Sequence, residues 1–127
     1  MPTGYTVFAH GSSVESANEA VRMVVEKLRS KTENLGALNT SFLEGGSPSL
    51  AEAVQELAFT GCDKIVVIPY FLTLGLHLKR DLPNLVAEAK AKFPHLEIQV
   101  ADPLDGHPAL LTILADRMQS IAGVNTE

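Results

Sequence analysis

Short apolar runs rich in β-branched and aromatic residues alternate with longer amphipathic stretches along this 127-residue chain. No other feature constrains the fold as strongly. Each run can serve as a buried parallel strand, and each stretch as the helix that crosses over to the next. The strands are predicted at residues 5–9, 38–43, 64–72 and 97–101. In the first helix Ala17, Ala20, Val21, Val24, Val25 and Leu28 recur at helical spacing and are expected to face the sheet, with Glu15, Glu19, Arg22, Glu26 and Arg29 outside. A second helix is expected to start at Ser47-Pro48, a capping residue followed by proline, and to bury Leu50, Ala53, Val54 and Leu57 before stopping ahead of Gly61. A third lies between Asp81 and Phe93. A fourth runs from about Pro108 to Ile121, with Leu110, Leu111, Leu114, Met118 and Ile121 inward.

The strands differ in a way that predicts their order. Residues 5–9 and 64–68 are apolar on both faces, as central strands are, whereas 39–43 and 97–101 mix polar with apolar residues, as edge strands do. The order 2-1-3-4, with helices on both faces, satisfies this pattern and right-handed crossovers. It is a flavodoxin-like α/β arrangement, in which ligands bind beyond the carboxyl ends of the strands, at the switch point between strands one and three.

A chain of this length holds one core, so residues 1–123 are read as one α/β domain and 124–127 as a frayed tail. Ten Lys and Arg against fifteen Asp and Glu give a net charge of -5, which repels a duplex or an anionic membrane surface. Neither nucleic acid nor membrane is an expected partner. Pro69, Thr73 and Gly75 interrupt the most apolar stretch, well short of a membrane span. With no secretory leader evident after Met1 and Cys62 as the only cysteine, a reducing cytoplasm is the expected location.

The chemistry-bearing side chains fall at strand ends. His10 follows strand one, Glu44 follows strand two and His77 lies in the loop after strand three, so all three are expected at one rim. Two imidazoles and a carboxylate are donors for a first-row metal. Each residue also has a plainer reading. His10 can be a hydrogen-bonded turn residue, with Gly11, Ser12 and Ser13 forming the turn and Ser12 with Glu15 a capping box. The same turn can hold a carboxylate or phosphate on free N–H groups. Glu44 before Gly45-Gly46 can be a solvated loop residue. The apolar segment 69–78 can cover a ligand, pack on its own domain or meet a second subunit, and Lys79 and Arg80 supply local positive charge or simply solvate a helix start. His107 either lines the rim or caps helix four. His95 belongs to the opposite end of the sheet, and Cys62 reads as a small buried residue.

Taken jointly, His10-Gly11-Ser12, Phe42-Leu43-Glu44 with Pro48-Ser49-Leu50, Pro69-Tyr70-Phe71-Leu72 through Gly75-Leu76-His77 to Asp81-Leu82-Pro83, and Pro103-Leu104 with His107-Pro108 resemble the class II chelatases. The resemblance is to their short, single-lobe sirohydrochlorin cobaltochelatase/ferrochelatase form and covers almost the whole chain. It implies that His10 and His77 bind metal and that Glu44 is the active-site acid. It further implies insertion of a divalent metal, cobalt foremost or else nickel or iron, into sirohydrochlorin on the way to cobalamin, siroheme or a related tetrapyrrole. The metal is then a substrate, no permanent cofactor is expected, and a one-lobe chain is expected to act as a homodimer. Ser12, Ser13, Leu76, Lys79 and Arg80 become candidate contacts for the carboxylate-bearing macrocycle. Gly45-Gly46 departs from the bulkier residues expected after the glutamate.

Two rivals stand beside this reading. A non-catalytic metal or tetrapyrrole carrier would use the same rim. A histidine phosphatase-like enzyme also places His-Gly after its first strand, but its chemistry calls for an arginine beside the histidine, where this chain has Ala9.

Overall fold

The apolar runs form four parallel strands in the computed structural model, which describes residues 2–123. They are β1 (Thr3–Ala9), β2 (Ala37–Phe42), β3 (Lys64–Pro69) and β4 (Glu97–Val100), followed in turn by helices α1 (Glu15–Thr32), α2 (Leu50–Phe59), α3 (Leu76–Lys92) and α4 (Ala109–Ala122). The strand order is β2-β1-β3-β4, as the polarity of the strands predicts. Val7 at the centre of β1 pairs with Thr40 on one side and Ile68 on the other. The tail expected over 124–127 lies outside the described residues. No helix among them is long and apolar enough to cross a membrane.

Successive strand residues point to opposite faces, and the two faces close differently. Phe8, Ile65 and Val67 meet Leu50, Val54 and Leu57 of α2 and Leu78, Leu82 and Ala89 of α3 in one continuous core. On the other face Val7 and Leu38 meet only Val25 of α1, with Tyr5, Leu28 and Ile68 half-buried around them.

Several local expectations need correction. α2 starts later than Ser47-Pro48: Ser49 is its N-cap, its hydroxyl accepting from the Glu52 N–H while the Glu52 carboxylate accepts from the Ser49 N–H. That reciprocal pair satisfies two N–H groups, which a start at Pro48 would not. β3 ends at Pro69, not at residue 72. α3 begins at Leu76, ahead of Asp81, so His77 lies in its first turn and not in a loop. Burial of Leu78, Leu82 and Ala89 along one stripe holds this helix through Pro83, whose missing N–H and ring clash cost about 3 kcal/mol in a helix interior.

Two helices break the inward patterns read from the sequence. In α1, Val25 is buried and Val21 and Leu28 are half-buried, but Ala17, Ala20 and Val24 are exposed. Arg22 turns inward over the Phe42 ring, 5.2 Å from its centroid, and Arg29 donates to the Leu38 carbonyl oxygen. These arginines anchor α1 toward β2, and the opposite flank, with Ala17, Ala20 and Val24, is left exposed. In α4 no residue is buried: Leu110 is half-buried and Leu111, Leu114, Met118 and Ile121 are exposed, because the helix does not fold back onto its own sheet.

Candidate functional site

The loops leaving β1, β2 and β3 emerge side by side, and backbone hydrogen bonds join them beyond the strand ends. The Leu43 N–H donates to the Ala9 carbonyl (2.9 Å), the Glu44 N–H to the His10 carbonyl (3.0 Å) and the Tyr70 N–H to the Phe8 carbonyl (2.7 Å). Two glycines permit this approach. Gly11 has φ 87° and a Cβ there would overlap the Glu44 carbonyl oxygen; Gly45 has φ 69° and its Cβ would come within 2.8 Å of the Ser12 carbonyl carbon. The Ser12–Glu15 capping box does not form. The N-cap of α1 is Val14 with no side-chain cap bond, and the Ser12 hydroxyl instead accepts from the Val14 N–H.

His10 is oriented from two sides. Its ring meets Phe71 edge-on at 6.5 Å, and Phe71 in turn packs on buried Phe8 at 5.9 Å. Its Nδ1 lies 2.9 Å from the Gly11 carbonyl oxygen, which can only accept. Nδ1 therefore carries the proton, and Nε2 presents its lone pair 3.7 Å from Glu44 Oε1. With metal–donor bonds of about 2.1 Å, that separation suits two donors on one first-row ion. Both side chains are largely exposed.

His77 and His10 line one cleft of about 270 Å³ together with Leu43, Phe71, Leu76 and Asp81. Glu44 flanks His10 but does not line this cleft. The Arg80 guanidinium, which can only donate, sits 3.0 Å from His77 Nδ1. His77 thus keeps its proton on Nε2, and Arg80 must withdraw before Nδ1 can serve a metal. Among the described residues no group of three or more His, Cys, Asp or Glu is arranged to hold a metal ion. An ion held by so few donors would stay exchangeable, unlike one in the closed four-ligand shell of a structural site.

The remaining candidates separate. Leu76, 88% exposed in the first turn of α3, stands at the cleft mouth. Lys79 lines a neighbouring apolar groove with Leu74, Leu82 and Val100, and Arg80 also bonds Asp81. The Ser12 N–H already donates to Asn18 Oδ1, which leaves exposed Ser13 as the member of that pair facing solvent. His107 is apart from the cleft, its Nδ1 accepting from the Ala109 N–H at the start of α4. The apolar segment after β3 is split: Phe71 and Leu74 pack on the core, while Leu72 and Leu76 stay exposed.

Behind the loops lies a polar network built on Arg22 and Asn18. Arg22 donates to Glu15, Glu19 and the Ser47 carbonyl, and its guanidinium bond, followed by that of Asn18, holds the Glu15 carboxyl below its ordinary range. Asn18 is 1% exposed and touches both loops. One signal was available: Asn18 falls three and seven residues before Val21 and Val25, a polar residue in phase with the inward stripe. Asp81 joins the cleft because α3 starts at Leu76, which places it one turn after His77.

Residues 4–121 match the protein family described as CbiX. The chain is 28% identical over 123 residues to the sirohydrochlorin cobaltochelatase of Sulfurisphaera tokodaii, covering 97% of each protein. To the sirohydrochlorin cobaltochelatase of Methanopyrus kandleri it is 33% identical, covering 90% of this chain and 93% of that one. It is also 29% identical to the chloroplastic sirohydrochlorin ferrochelatase of Arabidopsis thaliana, over 91% of this chain and 51% of that protein. A CbiX protein of Marinobacter aquaeolei, described with cobalamin biosynthesis, superposes with TM-score 0.81 at 27% identity over 98% of this chain and all of that one. The cobalt complex of the chelatase SirB from Bacillus subtilis subspecies spizizenii has the same fold, with TM-score 0.88 at 24% identity over 96% of this chain and 52% of SirB. From the match over nearly its whole length and the 33% identity to a full-length relative, this chain belongs to the CbiX family.

Proposed function

We propose that this chain is a sirohydrochlorin chelatase, which inserts a divalent metal into that tetrapyrrole. The observation that carries the reading is the placement of His10 and His77 on one cleft, in a chain of the CbiX family. Insertion exchanges water and protein ligands on the metal for four ring nitrogens while two pyrrole protons leave. His10 Nε2 and Glu44 Oε1 act as the first protein donors, with His77 joining once Arg80 withdraws. Arg80, Lys79 and Ser13 then hold carboxylates of the macrocycle, and Leu76 packs on its rim. Glu44 accepts a pyrrole proton as general base. The metal is cobalt, as the names of similar relatives suggest; affinity alone would rank nickel above cobalt and cobalt above iron at imidazole and carboxylate donors. The product feeds cobalamin or siroheme formation. The buried, unpaired Cys62 supports a cytoplasmic location, and no resident cofactor is required.

The active form is a homodimer. A cleft of about 270 Å³ accommodates only part of a four-ring macrocycle, since pockets for drug-sized ligands run to about 1,000 Å³. The unburied apolar side of α4 and the exposed Ala17, Ala20 and Val24 flank of α1 both lack cover within one copy. A second copy meets both reciprocally, as a two-fold interface requires.

Absorbance spectra of sirohydrochlorin with catalytic protein and, separately, cobalt, nickel and ferrous iron under anaerobic conditions test the reading. Multiple turnovers are expected, lost in His10→Ala and His77→Ala. Binding of metal or macrocycle at one equivalent, with no turnover above the uncatalysed rate, would make the protein a carrier.

A further inference from the structure

We infer that Asn18 is a positioning residue that sets the separation of His10 from Glu44; this rests on the reading of those two side chains as metal donors. Asn18 lies on the first turn of α1 and reaches neither of them. Its carboxamide instead engages the two loops that carry them. Oδ1 accepts from the Ser12 N–H at 2.9 Å, and Nδ2 donates to the Ser12 carbonyl at 2.8 Å and to the Gly45 carbonyl at 3.0 Å. Ser12 is two residues beyond His10, and Gly45 directly follows Glu44. One side chain therefore clamps the β1 loop at both polar groups of a single residue and ties it to the β2 loop. A weaker contact from Nδ2 to Glu15 at 3.3 Å completes its partners.

The chemistry of the amide matters here. The site presents one N–H and two carbonyl oxygens, and among side chains of this length only asparagine offers both an acceptor and two donor hydrogens. Aspartate has the same shape but would set a carboxylate oxygen against two carbonyls, in a position 1% exposed. Nothing in the fold needs an asparagine at this point of α1, because an apolar residue would extend the Val21–Val25 stripe. The Gly11 and Gly45 conformations bring the loops into contact; Asn18 fixes their register once there. Outer partners that orient metal ligands change affinity by about 10–100-fold when removed.

The test compares Asn18→Asp and Asn18→Ala with the unaltered protein, and with Ser49→Ala as a variant weakened at the α2 cap, whose hydroxyl accepts from the Glu52 N–H and bonds none of His10, Glu44 and Asn18. Cobalt(II) alone is the first probe, followed through its visible absorption; sirohydrochlorin insertion is the second. Both Asn18 variants are expected to stay folded by circular dichroism, to bind cobalt(II) at least tenfold more weakly with an altered spectrum, and to lose kcat more than KM for the macrocycle. Ser49→Ala should melt earlier yet keep the cobalt spectrum. Unchanged cobalt affinity and spectrum in a folded Asn18 variant would overturn the inference, as would unfolding of both variants, which would make Asn18 a structural support. If the unaltered protein binds cobalt(II) through His10 but never inserts it, the chelatase reading fails while the cobalt comparison still judges Asn18.

Discussion

On one face of the sheet, α2 and α3 leave Phe8, Val54, Ile65 and Val67 with no solvent exposure, whereas on the other Val7, Val25 and Leu38 form a much smaller apolar cluster and α4 contributes no buried residue. The same alternation of apolar and polar residues produced both faces. The difference lies in where the chain goes after each strand: α2 and α3 return across the sheet, while α4 leaves it. A closed face stabilises the monomer on its own. An open face of apolar helix and half-buried strand is the side that a second copy would cover in the proposed homodimer.

Breaking the closed face should have the largest effect. Leu57→Ala, at the contact of α2 with β1, is expected to lower unfolding free energy by about 2–5 kcal/mol in urea titrations. A loss under about 1 kcal/mol would mean that this core collapses to fill the space. Next comes the start of α2, where Ser49→Ala removes one half of the reciprocal cap and should cost about 1 kcal/mol. On the open face, Met118→Gln alters a side chain that is 74% exposed and should change monomer stability by no more than about 0.5 kcal/mol. Yet it should shift sedimentation from dimer toward monomer. A chain that sediments as a monomer at every concentration before substitution would remove the case for a paired open face.

The smallest effect concerns acid. Glu15 is held below its ordinary value of 4.5 by Arg22 first and Asn18 second, so the folded form keeps this carboxylate charged to lower pH than the unfolded chain. Its contribution is complete above that ordinary value and is lost as pH falls through the lower folded one. Arg22→Gln should therefore lower the neutral plateau of a stability–pH curve slightly more than its low-pH end, which flattens the acid limb.

The site divides along similar lines. His10 sits in a frame of glycine contacts, backbone bonds and Phe71, and its proton is assigned by the Gly11 carbonyl. His77 stands at an exposed helix start with its lone pair engaged by a mobile-length arginine side chain. One half is preorganised, and in the proposed reaction the other would have to rearrange.

Much of this was legible in residue order. Strand polarity and right-handed crossovers together predicted β2-β1-β3-β4, because edge strands tolerate polar residues that central strands cannot, and that topology brings the loop of His10 beside that of Glu44, with His77 across the cleft in the first turn of α3. Local signals were less decisive. Ser47-Pro48 and Asp81-Leu82-Pro83 both look like helix starts, but capping bonds at Ser49 and burial of Leu78 moved the starts elsewhere. Periodicity identified the apolar sides of α1 and α4 without revealing what lies opposite them, since a hydrophobic stripe encodes a need for cover and not its source. The inward turn of Arg22, the clamp at Asn18 and the exposure of α4 depend on which elements become neighbours. Those outcomes were decided by tertiary contacts, because they arise between residues far apart in the chain, whereas strand order and the carboxyl-edge rim follow from patterns that each segment carries within itself.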